Sequence, residues 1–549
     1  MAHTSIKDII QILFLAITTC STSVNAAELR FAKIFTDHCV LQREMSVPVW
    51  GWTTPDSQVT IEFAGQKKTA TADGNGKWLA RLGPMKASRE SRELTASSEG
   101  QSVTLKDVLV GEVWLCSGQS NMGFPISKAK GGKEAVANAD LPHFRMFRVK
   151  QNPMYEAEAE VDGDWFLCSP KNFEDGRDFS AVGFFFGRQL QKSLDCPIGL
   201  IGSYVGGSPV EAWMSAEALE AFPARRGGRT ETWKRFYMFR QARDGMAKAM
   251  ADHRPKLAAW EAELAARNQA RRRALTAWNE AVAEARRLKQ EPPPRPQPAS
   301  VSRRPLEPNR YPHHATVLFR GMIEPLIPYG MRGAVWYQGE ANCYPRRADE
   351  YATSFPLMIA DWRKRWGQGE FPFLFVQLPN LAKARNDWMT LRESQRLAAA
   401  RVPNTAMAVT IDVGDPNDLH PVDKKPVADR LALLARAEVY GEDVIASGPL
   451  IHSAKKMDDG RLRLRFRFSE TGLQGGATDG EKLGGFELAG EDGVFVSAQA
   501  AIEGGHVIVW HEDVETHHVR YAWAPNPFPA ANLYNRVGLP ASPFSIKVE

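Results

Sequence analysis

Cysteine is scarce in this sequence, and its few cysteines form no metal-binding pattern. Six are scattered over 549 residues, with no CxxC pair and no zinc-finger spacing, which argues against a structural zinc site. Those beyond the N-terminal segment are Cys39, Cys116, Cys168, Cys196 and Cys343. This odd number allows one or two disulfides in an oxidising compartment, but it fixes no pairing.

Long apolar runs and a strong overall charge are also missing. No stretch after the N-terminus approaches the ~20 apolar residues that span a bilayer, so we expect no membrane span. Lys and Arg total 69 against 64 Asp and Glu, and 43% of residues are hydrophobic. This composition is that of a soluble globular protein and excludes collagenous, wholly disordered and multi-pass membrane proteins.

The positive charge is concentrated in one segment. Residues 222–310 hold 21 basic and 9 acidic residues, although the whole chain has a net charge of only +5. No recognisable nucleic-acid-binding module accompanies this segment, so we expect no nucleic-acid partner.

The N-terminus has the parts of a secretory signal. One lysine precedes an apolar run from Ile9 to Ile17, and small residues follow as far as Ala26 and Ala27. We therefore interpret residues 1–26 as a cleaved signal peptide and expect a secreted or periplasmic protein. A short buried helix is the alternative interpretation.

The pattern of hydrophobic residues predicts three folded regions after the signal. Strict alternation and Gly- or Pro-bearing turns predict a β-sandwich over residues 28–107, and alternation returns in a second predicted β-sandwich over 446–549. Between them, residues 108–445 alternate nearly continuous apolar strands with helical stretches. This pattern is typical of an α/β domain whose parallel sheet has helices on both faces.

The basic segment interrupts the α/β domain. Apolar residues recur at helical spacing within it, namely Leu257, Trp260, Leu264, Leu275, Trp278 and Val282. We predict a helical hairpin over about 222–310 that ends in the stiff connector EPPPRPQPASVSRRP. A solvated helical insertion is favoured over a docking arm or a contact surface for a polyanion.

The string WLCSGQSNM, residues 114–122, is the most informative motif. A buried strand that runs into SGQSN places Ser120 on a tight turn, where its hydroxyl is exposed and backbone N–H groups are available to an oxyanion. Ser120 is therefore the candidate nucleophile, although a serine in such a turn is more often structural.

Two further strands end in residues that suit an oxyanion site. PIGLIGSYVGGSPVEAW, 197–213, ends in a turn where Gly206 or Gly207 can bring a backbone N–H close to a substrate. GAVWYQGEAN, 333–342, delivers Gln338, Glu340 and Asn342 to the same sheet edge. Neutral amides donate hydrogen bonds to an oxyanion without neutralising a base, but they also cap helices.

A fourth strand is followed by the loop that contains the candidate base. The segment IDVGDPNDLHPVDKK starts at residue 411 and carries Asp415, Asp418 and His420. A histidine beside carboxylates in such a loop can act as a general base that an acid orients. With Ser120, the chain holds a complete set of nucleophile, orienting acid and base.

Together with LFRGMIEPLIPYGMRG before the third strand, LRESQ at 391–395 and DLHPVDK, these motifs resemble the sialate O-acetylesterases, within the SGNH or GDSL-like hydrolases. The resemblance extends over nearly the whole chain. It implies an SGNH-like fold, Ser120 as nucleophile, His420 as base, and oxyanion donors from Gly206 or Gly207 and from Gln338, with Asn342 as the alternative amide.

The orienting acid departs from the family pattern. SGNH enzymes commonly carry Asp three residues before the histidine, where this chain has Asn417. We predict Asp418 as the orienting acid. Asp415 or a backbone carbonyl is the alternative.

The implied reaction is hydrolysis of an O-acetyl ester on a carbohydrate, without a metal or organic cofactor. The expected substrate is 9-O-acetylated sialic acid, and acetylxylan or another acetylated polysaccharide is the alternative. A non-catalytic carbohydrate-binding protein is a hypothesis of another class. The oligomeric state does not follow from the sequence.

Overall fold

The structure is a computed structural model that describes residues 28–223, 230–384, 387–476 and 482–549. The predicted signal peptide lies outside these residues. The protein has a mixed α/β architecture with one large mixed sheet and separate C-terminal β-sheets.

The N-terminal region is made of short strands in two sheets. Strands β1, β3 and β6 form one sheet, and β4, β5, β7 and the first part of β8 form the other. The strands are β1 Arg30–Phe31, β2 Val40–Gln42, β3 Val47–Trp52, β4 Gln58–Phe63, β5 Gln66–Thr71, β6 Lys77–Leu82, β7 Ser88–Ser98 and β8 Gln101–Gly118.

Strand β8 belongs to two sheets at once. Its first half pairs antiparallel with β7, from Ser98 opposite Gln101 to Ser88 opposite Val110. Its second half pairs in parallel with β11 from Glu112 onward and, on the other side, with β12 from Trp114 onward. The strand that runs into the SGQSN turn is therefore also a strand of the N-terminal sheet that contains β7.

Six parallel strands and one antiparallel edge strand form the α/β part of the large sheet, in the order β10-β9-β11-β8-β12-β13-β14. The added strands are β9 Leu141–Arg148, β10 Trp165–Cys168, β11 Ile198–Tyr204, β12 Gly333–Tyr337, β13 Phe373–Val376 and β14 Thr405–Ala408. The helices are α1 Gly132–Ala137, α2 Pro170–Glu174, α3 Ala181–Leu194, α4 Ala216–Glu220, α5 Glu231–Asp244, α6 Met246–Arg287, α7 Arg347–Trp366, α8 Asp387–Arg401 and α9 Lys425–Glu438.

Helices cover this sheet on both faces. Successive residues of β12 belong to two different cores: Trp336 packs with residues of α7, whereas Val335 packs with residues of α3 and α9. Both faces of the central strands are therefore buried, which explains why β8, β11 and β12 are apolar without alternation.

A buried ion cluster lies where β8 passes from one sheet to the other. The carboxylate of Glu112 is fully buried and pairs with Arg43 and, at 2.9 Å, with Arg332. Burial alone would raise the pKa of Glu112, but the hydrogen bonds and charges of the two arginines hold it below its ordinary value. The cluster thus binds β8 to the loops on both sides of it.

The prediction of a helical hairpin in the insertion is wrong in its second arm. Helices α5 and α6 meet at Gly245, and α6 continues for 42 residues. The return arm is extended, because the prolines of EPPPRPQP cannot donate the hydrogen bonds of a helix. The indole N–H groups of Trp260 and Trp278 bind this arm through the carbonyls of Ser302 and Pro293, both at 2.8 Å.

The C-terminal region consists of antiparallel β-sheets. Two sheets have four strands each, in the orders β15-β16-β21-β20 and β19-β18-β22-β24, and β17 pairs with β23. The strands are β15 Leu450–Lys456, β16 Leu462–Arg467, β17 Leu473–Gly475, β18 Phe486–Ala489, β19 Phe495–Ser497, β20 Gln499–Glu503, β21 His506–Trp510, β22 His518–Tyr521, β23 Leu533–Asn535 and β24 Phe544–Lys547.

The five described cysteines are all buried and free, so no disulfide forms among them. Within the described ranges, no helix combines the length and apolar character that crossing a membrane requires.

Candidate functional site

Ser120 lies two residues beyond the carboxyl end of β8. The strand ends at Gly118, whose φ of +135° is rarely adopted by other residues. A Cβ atom at this position would lie 2.2 Å from the carbonyl oxygen of Tyr337 on the neighbouring strand β12. Only glycine therefore allows the chain to turn here and to present Ser120 at the sheet edge.

His420 meets Ser120 from the loop that follows β14. Its Nε2 atom lies 2.8 Å from Ser120 Oγ, although 300 residues separate the two in the chain. This is a hydrogen-bond distance, and it is the geometry in which an imidazole can take a proton from a serine hydroxyl. Both side chains are partly buried.

Neither candidate acid contacts the His420 ring in the way predicted. Asp418 Oδ1 instead accepts the backbone N–H of His420 at 2.8 Å, and Asp415 Oδ1 accepts that of Asn417 at 2.8 Å. A carboxylate two residues before the histidine lies close enough to cap its backbone, so Asp418 shapes the loop. Burial lowers the pKa of the His420 imidazole, and the charge of Asp418 opposes that shift.

A buried network supports the histidine loop from below. Asn121 donates from Nδ2 to the carbonyl of Leu419 at 3.0 Å and to Glu340 Oε1 at 2.5 Å. Its Oδ1 accepts from Lys424 Nζ at 2.5 Å. Asn121 therefore connects the nucleophile turn to the residue before His420.

Sequence reasoning missed this network, although its residues stand within the quoted motifs. Asn121 follows the serine, Glu340 lies in WYQGEAN, and Lys424 follows DLHPVD. Lys424 immediately precedes helix α9, and a lysine at a helix start is usually exposed. In the structure Lys424 is only 1% exposed. Its ammonium faces the rings of Phe124 and Tyr337, at 4.9 and 5.7 Å from their centroids.

Burial shifts the pKa values of the two ionisable residues in this network, Lys424 and Glu340. It lowers the pKa of Lys424 to about 7, despite the opposing charges of Glu340 and Asp418. Burial also raises the pKa of Glu340, whose Oε2 atom has no hydrogen-bond partner among the described residues. Two titratable groups with opposite shifts beneath a nucleophile are typical of a functional site.

The pKa of His420 leads to a testable pH dependence. Burial lowers this pKa, and the Lys424 ammonium lowers it further. Only neutral imidazole can accept the serine proton, so we expect kcat/KM to rise through a pKa below the ordinary histidine value of about 6.5. Lys424→Met removes a cation near the ring, so the acid limb should move to higher pH. Hydrolysis of p-nitrophenyl acetate across about pH 4 to 8 measures this shift.

The neighbouring Lys425 provides the matched control. It is exposed and pairs with Asp429 at 2.6 Å, away from the histidine. Lys425→Met should leave the acid limb unchanged. An equal shift in both variants, or no shift in Lys424→Met, would show that Lys424 does not act on His420.

The glycine turn lies beside Ser120. The N–H of Ser208 donates to the carbonyl of Val205 at 3.3 Å, which closes a β-turn with Gly206 and Gly207 at its centre. Gly207 has a φ of +68°, and a Cβ atom on Gly206 would lie 3.6 Å from Ser120 Cβ. Within the described ranges, the N–H groups of Ser120 and of both glycines bind no protein acceptor.

The prediction that Gln338 or Asn342 donates to the oxyanion needs correction. Both side chains are at most 1% exposed. Gln338 Nε2 donates to the carbonyl of Ser208 at 3.1 Å and to Asn342 Oδ1 at 2.8 Å, which uses both amide hydrogens. Asn342 accepts from the N–H of Val210 at 2.9 Å and donates to Glu211 at 3.1 Å. These amides thus fix the segment that follows the glycine turn.

Arg392 of the LRESQ motif also binds backbone carbonyls. Arg392 is fully buried, and its guanidinium donates to carbonyls of Leu378 and Pro379 and, across to the C-terminal region, of Ala524 and Pro525. No group of three or more His, Cys, Asp or Glu side chains in the described part of the chain is arranged to hold a metal ion.

The chain is similar to known carbohydrate esterases. The family model for the carbohydrate esterase, sialic acid-specific acetylesterase matches residues 318–428, which include β12 and the histidine loop. The chain is also similar to a solved carbohydrate acetylesterase from Xanthomonas citri, with a TM-score of 0.73 and 32% sequence identity. That match covers 94% of this chain and 99% of the other.

Curated relatives carry the same family name. The sialate O-acetylesterase of Rattus norvegicus is 32% identical over 459 residues, which are 77% of this chain and 76% of the relative. The Homo sapiens sialate O-acetylesterase is 30% identical and covers 77% of this chain and 73% of its own length. These matches confirm the resemblance seen in the motifs, and the chain belongs to the sialate O-acetylesterase family of carboxylic ester hydrolases.

Proposed function

We propose that this protein hydrolyses O-acetyl esters on carbohydrates, with Ser120 as the nucleophile and His420 as the general base. The observation that carries the proposal is the 2.8 Å contact between Ser120 Oγ and His420 Nε2. Family membership supports the substrate class, because the relatives are carbohydrate acetylesterases by name.

The first half of the reaction transfers the acetyl group to the enzyme. His420 Nε2 removes the hydroxyl proton as Ser120 Oγ attacks the acetyl carbonyl, and the carbonyl oxygen becomes an oxyanion. The unused N–H groups of Ser120, Gly206 and Gly207 are the candidate donors to that oxygen. Each well-placed donor of this kind contributes about 3 kcal/mol to the stabilisation of the transition state.

The first half ends with loss of the sugar alcohol, and the second half releases acetate. The protonated His420 gives its proton to the leaving sugar oxygen as the carbon–oxygen bond of the ester breaks. The neutral imidazole then takes a proton from a water molecule, which attacks the acetyl-Ser120 carbonyl. Acetate leaves as Ser120 recovers the proton from His420. Water is the only other reactant, so this scheme balances without a cofactor.

The substrate with the most support is 9-O-acetylated sialic acid. The matching family model is named for sialic acid, and curated relatives from several mammals are named sialate O-acetylesterases. The close pairing of Ser120 and His420 argues against a purely carbohydrate-binding protein, because binding a glycan needs no activated hydroxyl.

A substrate panel tests this function. We expect the protein to release acetate from 9-O-acetylated sialic acid with a kcat/KM of at least roughly 10⁴ M⁻¹s⁻¹, within the range of ordinary enzymes. Acetylxylan, as the matched polysaccharide substrate, should be hydrolysed far more slowly. Greater activity on acetylxylan would reverse the substrate assignment, and no acetate release from any ester would refute the enzyme proposal.

A further inference from the structure

A large open pocket lies next to the candidate site but does not contain the reacting groups. It has a volume of about 700 Å³, within the range of pockets that bind small molecules. Ser120, Gly206 and His420 are not among its lining residues. The pocket is therefore available to a part of the substrate other than the acetyl group.

The pocket touches the site through His313. This histidine lines the pocket, and a Cβ atom added to Gly207 would lie 3.2 Å from its Cε1 atom. Burial lowers the pKa of His313, although its hydrogen bond to the backbone of Gly207 opposes that shift. The ring of His313 thus forms the boundary between the glycine turn and the pocket.

The helical insertion forms the opposite wall. Arg235, Met238, Ala242, Met246 and Ala249 recur along one side of α5 and the start of α6, and all of them line the pocket. Their steps of three and four residues place them on one helix face. The insertion, which the esterase chemistry itself does not use, is therefore the element that creates this pocket.

The lining combines ring surfaces with a few polar groups. Tyr311 is 42% exposed, and its ring lies 5.4 Å from that of His313 and 4.7 Å from that of His314. Arg235 donates to the carbonyl of His313, and its Nε atom lies 3.9 Å from the buried carboxylate of Glu211. A pocket of mostly apolar surface with a few polar side chains in its lining suits an amphipathic ligand such as a sugar ring.

We propose that this pocket is a glycan subsite that holds the sugar unit linked to the acetylated one. The inference rests on the proposed function, because it requires the ester to be positioned at Ser120. The acetylated ring then lies over the glycine turn, and the next unit of the oligosaccharide passes His313 into the pocket. The protein should accordingly prefer acetylated oligosaccharides to acetylated monosaccharides.

The test compares free 9-O-acetylated sialic acid with the same sugar linked to lactose. We expect wild-type kcat/KM to be roughly tenfold or more higher for the linked form. Ala249→Trp fills the pocket from a half-buried position and should abolish this preference while hydrolysis of p-nitrophenyl acetate stays within about twofold. Ala247→Trp, at an exposed position on the same helix, should keep the preference.

A second variant guards against misfolding. Tyr311→Ala removes an exposed ring and should also lower kcat/KM for the linked substrate alone. Equal losses on the free and linked sugars, or no loss on the linked sugar in either variant, would overturn the subsite. If the wild type hydrolysed none of the three substrates (p-nitrophenyl acetate, the free sugar and the linked sugar), the proposed function itself would be refuted.

Discussion

Replacing Ser120 with alanine is expected to reduce kcat for acetate release by roughly 10⁴- to 10⁶-fold. Ser120 Oγ is the atom that bonds to the acetyl carbon in the acetyl-enzyme, and no other side chain can replace it in that step. Among the described residues, the hydroxyl oxygen of Ser120 forms a hydrogen bond only with His420 Nε2. The substitution should therefore leave the fold and glycan binding intact.

The measurement is acetate release from p-nitrophenyl acetate and from the best glycan ester, together with binding of that ester to the variant by calorimetry. Ser127→Ala is the matched control, because Ser127 is exposed and lies seven residues further along the chain. It should retain wild-type activity. Equal turnover by wild type and Ser120→Ala would exclude Ser120 as the nucleophile.

Glu112→Gln is expected to lower the free energy of unfolding by about 3 to 5 kcal/mol. The wild-type carboxylate is fully buried and is the shared partner of Arg43 and Arg332. Glutamine keeps the shape but removes the negative charge, so two guanidinium groups remain in a poorly hydrated place. Removing one partner of a buried ion pair is costly because the other charge loses its compensation. Chemical denaturation at neutral pH measures the loss.

Glu44 provides an internal control for that prediction. It pairs with the same two arginines, at 3.2 Å from Arg332 and 3.9 Å from Arg43, but its side chain is 55% exposed. Glu44→Gln should cost less than about 1 kcal/mol, because water already screens this pair. Similar losses in both variants would mean that burial does not determine the strength of this cluster.

The broad architecture could be predicted from the sequence, because strands and helices follow from the hydrophobic pattern of residues that are neighbours in the chain. Apolar runs followed by glycine turns indicated the strands of the α/β sheet, and alternation indicated the β-strands at both ends of the chain. The insertion was only partly predictable. Its helical spacing anticipated α6, but the path of the proline-containing arm depends on hydrogen bonds from Trp260 and Trp278 that connect distant positions.

The candidate site shows the same division. Its strand ends and its Ser120–His420 pair could be anticipated from the motifs, and the structure places these two side chains 2.8 Å apart. The roles of the amides could not be anticipated, since Gln338 and Asn342 bind partners that only the folded chain brings near. Lys424 is a similar case, because its burial follows from the packing of the serine turn against the histidine loop.

The continuity of β8 has a consequence for how this protein can be divided. Residues Leu109–Gly111 pair with β2, and the very next residue already pairs with β11. Any cut that separates the N-terminal sheets from the α/β part of the large sheet therefore breaks β8 within its hydrogen-bonded length. The N-terminal layer is therefore part of the framework of the hydrolase, and a minimal catalytic fragment must keep it.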